Sequence, residues 1–435
     1  NASPPPCVPF NSMLTLDIAG SLAKLITPSY GISDQDLMQL RSSMKRYVDE
    51  LRAECEAGEH SWMRSIYDED AVQSAKNVAE RMKKQKIDTI IWVGIGGSGL
   101  GPRVLKEVFE TPNTPELVIV DTIDPSALQQ VLDLVDWKRT LLVCASKSGG
   151  TLESMSAFFL FWSSAKSALG SKATDHALVI TDPHAGPLQS FAATHGIPIV
   201  PHPEVGGRYA IFTPIGLLPL ALLGADVDAF LQGAADMEAQ CFNPSLEDNP
   251  AAMLAAVQYL HESKKGYVMR VIMPYSQRLV SLAQWNQQLV AESLGKNEVR
   301  NPFPVAAIGT RDQHSMLQQW MQGPRKAWHL FIHEIEKPRL TVPKDVDPAF
   351  EYVAGKSFGQ ILDAFLDGTA RALTQVKRAH ATINITRLDA YHLGALFHLF
   401  FFEVVYLGKL YRIDPYGQPG VELGKSITRE ILQRG

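Results

Sequence analysis

Short apolar runs rich in β-branched residues recur along the chain, and longer segments with a charged, helical pattern separate them. This alternation is typical of parallel strands whose sheet is covered by helices on both faces. Helices are expected between the strands, and also over 34–86 and 214–261. We therefore predict an α/β fold. The pattern predicts strands at 87–93, 117–122, 140–145, 177–182, 197–200, 267–273, 304–308, 329–335 and 382–387.

The strands form two groups, separated by the mostly helical stretch that begins near residue 214. A chain of 435 residues is too long for one ordinary core, so we expect two doubly wound α/β domains with parallel sheets. We predict an N-terminal arm with helices over 1–61, a first domain over 62–222, and a second domain with a helical C-terminal segment over 223–435. Because residues 3–9 are rich in proline, they are expected to form a loose or surface-draped arm.

Composition and charge argue against several classes of protein. Apolar residues make up 46% of the chain, and the net charge of −5 predicts no basic surface for nucleic acid or an anionic membrane. The longest apolar stretch, 393–407, contains His398 and Glu403, which favours a buried helix over a membrane span. Four scattered cysteines without metal-ligand spacing are typical of a reducing cytosol. We expect a cytoplasmic protein with no metal, no nucleic-acid partner and no membrane contact.

Two turns rich in glycine and serine follow predicted strands of the first domain. The first, Gly94-Ile95-Gly96-Gly97-Ser98-Gly99, joins a strand to the start of a helix. The second, Ser146-Lys147-Ser148-Gly149-Gly150-Thr151, places three hydroxyls and an ammonium at the same kind of junction. Glycine lets backbone N–H groups approach a ligand, and a helix N-terminus adds partial positive charge. Together the turns favour a small phosphorylated ligand.

Each turn taken alone leaves alternatives open. The first approximates the GxGxxG dinucleotide fingerprint and is followed by Asp121, so an NAD(P)-dependent oxidoreductase is one alternative. The second turn is not part of a dinucleotide site, and neither turn matches the GxxxxGK[ST] nucleotide loop. Either turn could also be a glycine-rich connection selected for backbone geometry alone.

Isolated polar residues later in the chain could act in proton transfer, although each has a structural explanation too. Arg208 follows two glycines and could stabilise an oxyanion, or it could be a surface residue after a turn. Gln288 and Glu292 are four residues apart in a predicted helix and share one face, and Glu292 could act as a general base. The same spacing relates Glu292 to Lys296, so an ordinary surface ion pair is the alternative.

Three more polar residues are ambiguous on their own. His314 stands at the start of a predicted helix, where histidines usually cap or pack. Gln418 and Lys425 flank the segment 419–424 near the C-terminus, where a single lysine is usually solvated. Position alone therefore gives none of the three a chemical role.

These turns and polar residues occur in motifs whose order resembles that of the phosphoglucose isomerase family, from about residue 62 to 430. The ordered set is highly specific, and the short length and the Ala-Glu-Ser-Leu-Gly-Lys form of 291–296 resemble its compact bacterial branch. Three sites differ from the usual family residues. Ala210 replaces Ser or Thr, Gly417 replaces Asp or Asn, and the second turn has Gly149-Gly150 where Thr often stands in the second position. The motifs lie at 93–102, 146–153, 206–209, 288–296, 309–314 and 418–425.

The resemblance implies two sugar-isomerase (SIS) domains of the α/β/α type, with an active site between them and no cofactor. It implies an aldose–ketose isomerase that interconverts D-glucose 6-phosphate and D-fructose 6-phosphate through a cis-enediolate. It also implies a homodimer in which a partner subunit completes the site. The 6-phosphate would be held by residues of the two turns, namely Gly97, Ser98, Ser146, Lys147, Ser148 and Thr151.

The resemblance also implies roles for the isolated polar residues. Glu292 would move a proton between C2 and C1, while Arg208 would stabilise the enediolate. His314, reaching in from the partner subunit, would open the sugar ring together with Lys425. The substrate hydroxyls would be held by Gln288 and Gln418.

Two alternatives stay close to this interpretation. A non-catalytic phosphosugar-binding module would keep the serine-containing turns but has no need for Glu292, His314 and Lys425. An isomerase that also accepts mannose 6-phosphate would keep every one of these residues, because tolerance of the C2 epimer depends on pocket geometry.

Overall fold

The computed structural model describes residues 8–10 and 13–434, and these residues form two β-sheets covered by helices. Every strand predicted from the sequence is present, and together they are β3 to β11. The predicted α/β class is therefore confirmed. The strands are β1 (Val8–Phe10), β2 (Leu14–Asp17), β3 (Thr89–Val93), β4 (Glu116–Val120), β5 (Thr140–Ala145), β6 (Ala177–Thr181), β7 (Ile199–Pro201), β8 (Met269–Pro274), β9 (Phe303–Ala306), β10 (Ala327–Glu334) and β11 (His380–Ile385).

Helices fill the predicted gaps, and those over 34–86 and 214–261 are also confirmed. Several begin with a side-chain cap, such as the capping box formed by Ser33 and Asp36 at the start of α2. The helices are α1 (Ala23–Ile26), α2 (Asp34–Glu56), α3 (Ser61–Arg64), α4 (Glu69–Lys84), α5 (Gly97–Phe109), α6 (Pro125–Leu134), α7 (Leu152–Leu169), α8 (Pro187–His195), α9 (Pro214–Leu222), α10 (Val227–Cys241), α11 (Pro250–Lys265), α12 (Val280–Leu294), α13 (Leu317–Gln322), α14 (Phe358–Gln375), α15 (Ala390–Tyr411) and α16 (Glu422–Arg434).

The first sheet has the strand order β4-β3-β5-β6-β7, and its strands are parallel. Alternate residues of a strand point to opposite faces of the sheet. In β3, Ile90 and Trp92 belong to a large core that also contains residues of the second sheet. Ile91 and Val93 belong to a separate core formed with α7 and α8. Burial on both faces explains why these strands are apolar throughout.

The second sheet has the order β1-β2-β11-β10-β8-β9, in which β8 to β11 are parallel and β1 and β2 are antiparallel. Strand β2 pairs with β11 far along the chain, with Leu14 opposite Ile385. Residues 3–9 were expected to form a loose or surface-draped arm, and residues 8 and 9 are not loose, because they lie in an edge strand, where proline is tolerated. Residues 3–7 lie outside the described residues. The domain boundaries at 61 and 222 stay a prediction.

Helix α15 lies in the middle of the molecule and carries the longest apolar stretch. By length and composition alone it could cross a membrane, but 94% of its apolar window is buried inside the protein. Glu403 of α15 receives a bidentate contact from Arg270 of β8, and both side chains are fully buried. A buried carboxylate of this kind needs such a partner. The stretch is therefore a core helix, as predicted from His398 and Glu403.

Buried histidines make the stability of this fold sensitive to acid. Burial lowers the pKa of each of these side chains from 6.5 to about 3 or about 4, so they stay neutral in the folded protein at pH 5 while the unfolded chain binds protons. The contribution of these neutral histidines to the free energy of unfolding is therefore fully present above pH 6.5. It decreases as the pH falls toward 4, by about 1.4 kcal/mol per pH unit for each histidine. The histidines are His202, His261, His329, His380 and His398.

Urea unfolding between pH 7.5 and pH 5 measures this dependence. We expect the unfolding free energy of the His329→Gln variant to depend less steeply on pH than that of the parent protein. The difference corresponds to about one bound proton, because the variant lacks one of the neutral buried rings. The His184→Gln variant is the control, since His184 is exposed to solvent. Equal slopes for the parent protein and the His329 variant would contradict the prediction.

Candidate active site

Arg208 lies at the centre of the candidate site, in a short 3-10 helix over Gly207–Phe212, and its side chain is only 3% exposed. Its guanidinium joins three segments that are distant in the sequence, and so places the predicted residues Arg208, Glu292 and Gln418 in one cluster. The donor–acceptor distances are 2.7 Å from Nε to Ser293 Oγ, 3.2 Å from Nη1 to Glu292 Oε2, 3.1 Å from Nη1 to Gln418 Oε1, 2.6 Å from Nη2 to Pro415 O and 3.0 Å from Nη2 to Gly417 O.

Glu292 stands in the last turn of α12, and both of its carboxylate oxygens are engaged. Gln288, one turn earlier on the same face, donates from Nε2 to Glu292 Oε1 over 2.9 Å. Arg208 contacts the other oxygen, and the Glu292 side chain is 31% exposed. The predicted sharing of a helical face by Gln288 and Glu292 is therefore confirmed. The carboxylate is held in a defined orientation but is still accessible to a ligand.

Lys296 does not form the alternative surface pair with Glu292 within the described residues. Its ammonium instead donates to the carbonyl oxygens of Asp414, over 2.8 Å, and Tyr416. Burial lowers the pKa of Lys296, and the neighbouring Arg208 guanidinium lowers it further. Lys296 therefore ties the end of α12 to the segment 414–418, which also contacts Arg208.

The first glycine turn packs directly against this cluster. A Cβ atom at Gly97 would overlap the carbonyl group of Gly207, so only glycine lets the two backbones approach this closely. Gly96 has a φ of +59°, and a Cβ there would lie 3.0 Å from Gln288 Nε2. The indole of Trp92 holds the turn from β3, donating to Ser98 O over 2.8 Å. The N-terminus of α5 thus faces Arg208 and Gln288.

The second turn follows β5, which neighbours β3, so both turns lie at the carboxyl edge of the sheet where ligands commonly bind. Ser146 is buried and donates to the Thr151 hydroxyl over 3.2 Å. Ser148 is exposed, and its hydroxyl accepts from Gly150 N over 3.3 Å. Thr151 occupies the N-cap position of α7 without capping it, so its hydroxyl, which accepts from Ser146, can still donate its own hydrogen to a ligand.

His314 and Lys425 are not brought to the Arg208 cluster within residues 8–10 and 13–434. His314 is exposed and follows a short 3-10 helix over Arg311–Gln313. Lys425 is also exposed, and it pairs with Glu422 of its own helix over 2.8 Å. The residues of α16 that the structure describes are all exposed to solvent. The roles of His314 and Lys425 therefore stay predictions.

An aromatic support behind the cluster was not predicted from the sequence. The Tyr209 hydroxyl contacts Ser293 Oγ at 3.1 Å and donates to Pro415 O over 3.3 Å. The Tyr209 ring stacks on Trp62, whose indole donates to the Tyr416 hydroxyl over 3.1 Å. Tyr209 and Ser293 stand next to predicted residues in their motifs, which is the only signal for them in the sequence. Trp62 has the pattern of an ordinary core residue.

Comparisons with known proteins agree with this geometry. The family model described as "Phosphoglucose isomerase" matches residues 47–435. A glucose-6-phosphate isomerase of Rubrobacter xylanophilus is 34% identical over 432 residues, which cover 96% of this chain and 98% of the relative. One of Thermus thermophilus is 33% identical over 378 residues, covering 85% of this chain and 89% of the relative.

Solved structures show the same fold. A hypothetical protein of Thermus thermophilus has a TM-score of 0.87 at 30% identity, covering 97% of this chain and 100% of its own. A glucose-6-phosphate isomerase of Chlamydia trachomatis has a TM-score of 0.75 at 24% identity, covering 84% of this chain and 73% of its own. The family match spans most of the sequence and the relatives exceed 30% identity, so the chain belongs to the phosphoglucose isomerase family.

Proposed function

We propose that the Arg208 cluster is the active site at which this chain interconverts D-glucose 6-phosphate and D-fructose 6-phosphate. The observation that supports it best is the double contact of the buried Arg208 guanidinium, through Nη1, with Glu292 and Gln418, whose side chains remain accessible to a ligand. Relatives named glucose-6-phosphate isomerase align over nearly the whole chain. The comparisons give no support to a non-catalytic module or to an isomerase that also accepts mannose 6-phosphate.

The proposed reaction needs a base and a fixed positive charge. Glu292 takes the proton from C2 of the open-chain aldose, and the C2–H electron pair becomes the C1–C2 double bond of a cis-enediolate. The negative charge develops on the carbonyl oxygen at C1, where a guanidinium stabilises it. Glu292 then returns its proton to C1 while the hydroxyl proton at O2 passes to O1, so that C2 becomes the ketone carbonyl. Nη1 of Arg208 binds Glu292 and Gln418, two side chains that are themselves proposed to contact the substrate, so Nη1 is the nitrogen best placed to face the substrate.

The phosphate group is proposed to bind at the two turns. A hydroxyl-rich turn and the N-termini of α5 and α7 converge at one sheet edge, and such an arrangement favours an anion. The neighbouring residues Gln288 and Gln418 would hold the sugar hydroxyls. The proposed phosphate ligands are Gly97, Ser98, Ser146, Lys147, Ser148 and Thr151.

A homodimer is proposed, in which the partner subunit supplies the histidine that one chain does not bring to its own Arg208 cluster. Helix α16 exposes Leu423, Ile427 and Ile431 at four-residue spacing, so they form an apolar stripe on one face. The connection between β10 and α14 exposes further large apolar side chains, among them Phe350 and Tyr352. Exposed apolar surface of this extent is typical of a protein interface. In the proposed dimer, His314 reaches the Arg208 cluster of the partner subunit.

A reducing cytoplasm is the proposed location of the protein, because Cys55, Cys144 and Cys241 are free thiols.

The assignment of the base is tested by the Glu292→Gln variant. The amide keeps the size of the side chain and one acceptor oxygen but cannot take up the proton, so kcat is expected to fall by about 10²–10⁴-fold with little change in KM. A coupled assay that converts fructose 6-phosphate to glucose 6-phosphate measures both constants. The Glu298→Gln variant, at an exposed position, is the matched control. Near-parent turnover of the Glu292 variant would rule out this carboxylate as the base.

Phosphate binding is tested by replacing Ser148 and Thr151 together with alanine. Each lost hydrogen bond to a charged group costs about 1.5–3 kcal/mol, so KM is expected to rise strongly and competition by inorganic phosphate to weaken. The Ser163→Ala variant changes an exposed serine of α7 and is the control. An unchanged KM in the double variant would show that the phosphate binds elsewhere.

The dimer is tested by mixing two inactive variants, His314→Ala and Glu292→Gln. If His314 acts across the interface, one site of a hybrid dimer carries both changes and the other carries neither. Activity is therefore expected to return to about half of the parent value per hybrid dimer, because one of two sites is intact. Co-expression with two affinity tags isolates the hybrid for the coupled assay. A hybrid as inactive as both parents would place His314 at the site of its own chain.

A further inference from the structure

Helix α12, which carries Glu292, begins without a side-chain cap from its own N-cap residue. Its N-cap residue Leu279 provides no side-chain hydrogen bond, and its first turn contains no acidic residue, as far as the described part of the chain shows. The first N–H groups of a helix have no partner inside the helix and need an acceptor from elsewhere. A side chain from another element of the fold can supply such an acceptor.

Glu107, near the end of α5, supplies this cap. Its Oε2 accepts from the backbone N–H of Ser281 over 2.8 Å, and its Oε1 accepts from the Ser281 hydroxyl over 2.6 Å. Ser281 is buried and Glu107 is half-buried, so water competes poorly for these bonds. A carboxylate at a helix N-terminus is also favoured by the helix dipole. The contact is thus a strong, two-point link between α5 and α12.

The two helices run side by side in opposite directions. Glu107 holds the first turn of α12, and Glu292 lies about 16 Å further along the same helix axis. At the other end of α5, Gly96 and Gly97 contact Gln288 and the backbone next to Arg208. One rigid helix therefore touches both the start of α12 and the Arg208 turn. Its link to α12 determines how far Glu292 extends toward the guanidinium.

We propose that Glu107 is a positioning residue, which fixes the axial position of Glu292 relative to Arg208 by binding the first turn of α12. The inference rests on the proposed roles of Glu292 and Arg208 as base and oxyanion stabiliser. Glu107 itself touches no reacting atom. A displacement of about 1 Å at a reacting group is enough to reduce the rate by up to about 10²-fold.

Helix capping and positioning make different demands on the contact. Capping needs an acceptor at the N-terminus of α12, whatever element provides it. Positioning needs a bond between the two helices. A Ser281→Asp change in the Glu107→Ala background separates the two, because the new carboxylate lies in the first turn of α12, where the positive end of the helix dipole stabilises it without a bond to α5. The Glu107→Gln change keeps the link between α5 and α12, because the amide can still bind Ser281, but it removes the negative charge at the N-terminus of α12.

The experiment measures kcat, KM and the urea midpoint for these variants, with Asp226→Ala as the control. Asp226 caps α10 by accepting from Ala229 N over 2.9 Å, so its loss removes a helix cap away from the site. We expect Glu107→Ala to lower kcat by about 10–100-fold with little change in KM. Glu107→Gln should keep kcat close to the parent value. The double variant should regain the urea midpoint but not kcat.

Two results would overturn the inference: a parent-like kcat in Glu107→Ala, or recovery of kcat together with the urea midpoint in the double variant. Either would show that Glu107 serves as a helix cap alone. A loss of kcat in Asp226→Ala equal to that in Glu107→Ala would also overturn it, because any lost cap would then have this effect. A fully active Glu292→Gln variant is a distinct result, since it would remove the proposed base itself.

Discussion

The active-site architecture depends on one requirement, that a buried guanidinium must have a partner for every N–H group. Arg208 has five such donors, and the structure provides five acceptors on two separate segments, at 292–293 and 415–418. A buried charge without these contacts would destabilise the fold strongly. The chain therefore adopts this arrangement only when the Gly207 turn, the end of α12 and the segment 414–418 meet. The same contacts that satisfy Arg208 assemble the site.

The positions of the neighbouring elements are fixed by contacts around the Arg208 cluster. Lys296 binds two carbonyl groups of the segment 414–418, so the end of α12 and this segment form a single unit. The Gly97 backbone must then approach the Gly207 carbonyl closely, which excludes any side chain at that position. Helix α5 links this turn to the start of α12 through Glu107. The proposed anion-binding turn, oxyanion stabiliser and base are thereby connected through main-chain contacts and one carboxylate.

The sequence predicts what is encoded locally. The parallel strands are continuous apolar runs because both faces of each sheet are buried, and this makes them recognisable without a partner. The motifs anticipate that Arg208 and Gln418 meet, although 210 positions separate them. Strand β2 was missed because its partner β11 lies at the other end of the chain. The spacing of Glu292 and Lys296 suggested a helix pair, whereas distant carbonyls bind the lysine. The proposed role of His314 depends on a second chain, so no pattern within one chain could establish it.

Arg208 recognises two of its partners, Pro415 and Gly417, through main-chain oxygens rather than side chains. Such contacts place almost no demand on residue type, so substitutions can accumulate in this segment over evolution without loss of the guanidinium's partners. The remaining demand is conformational, because Gly417 has a φ of +66°. Glycine, asparagine and aspartate are the residues that adopt this conformation most readily. The family resemblance describes Asp or Asn as usual here, and Gly417 is the third member of that permitted set.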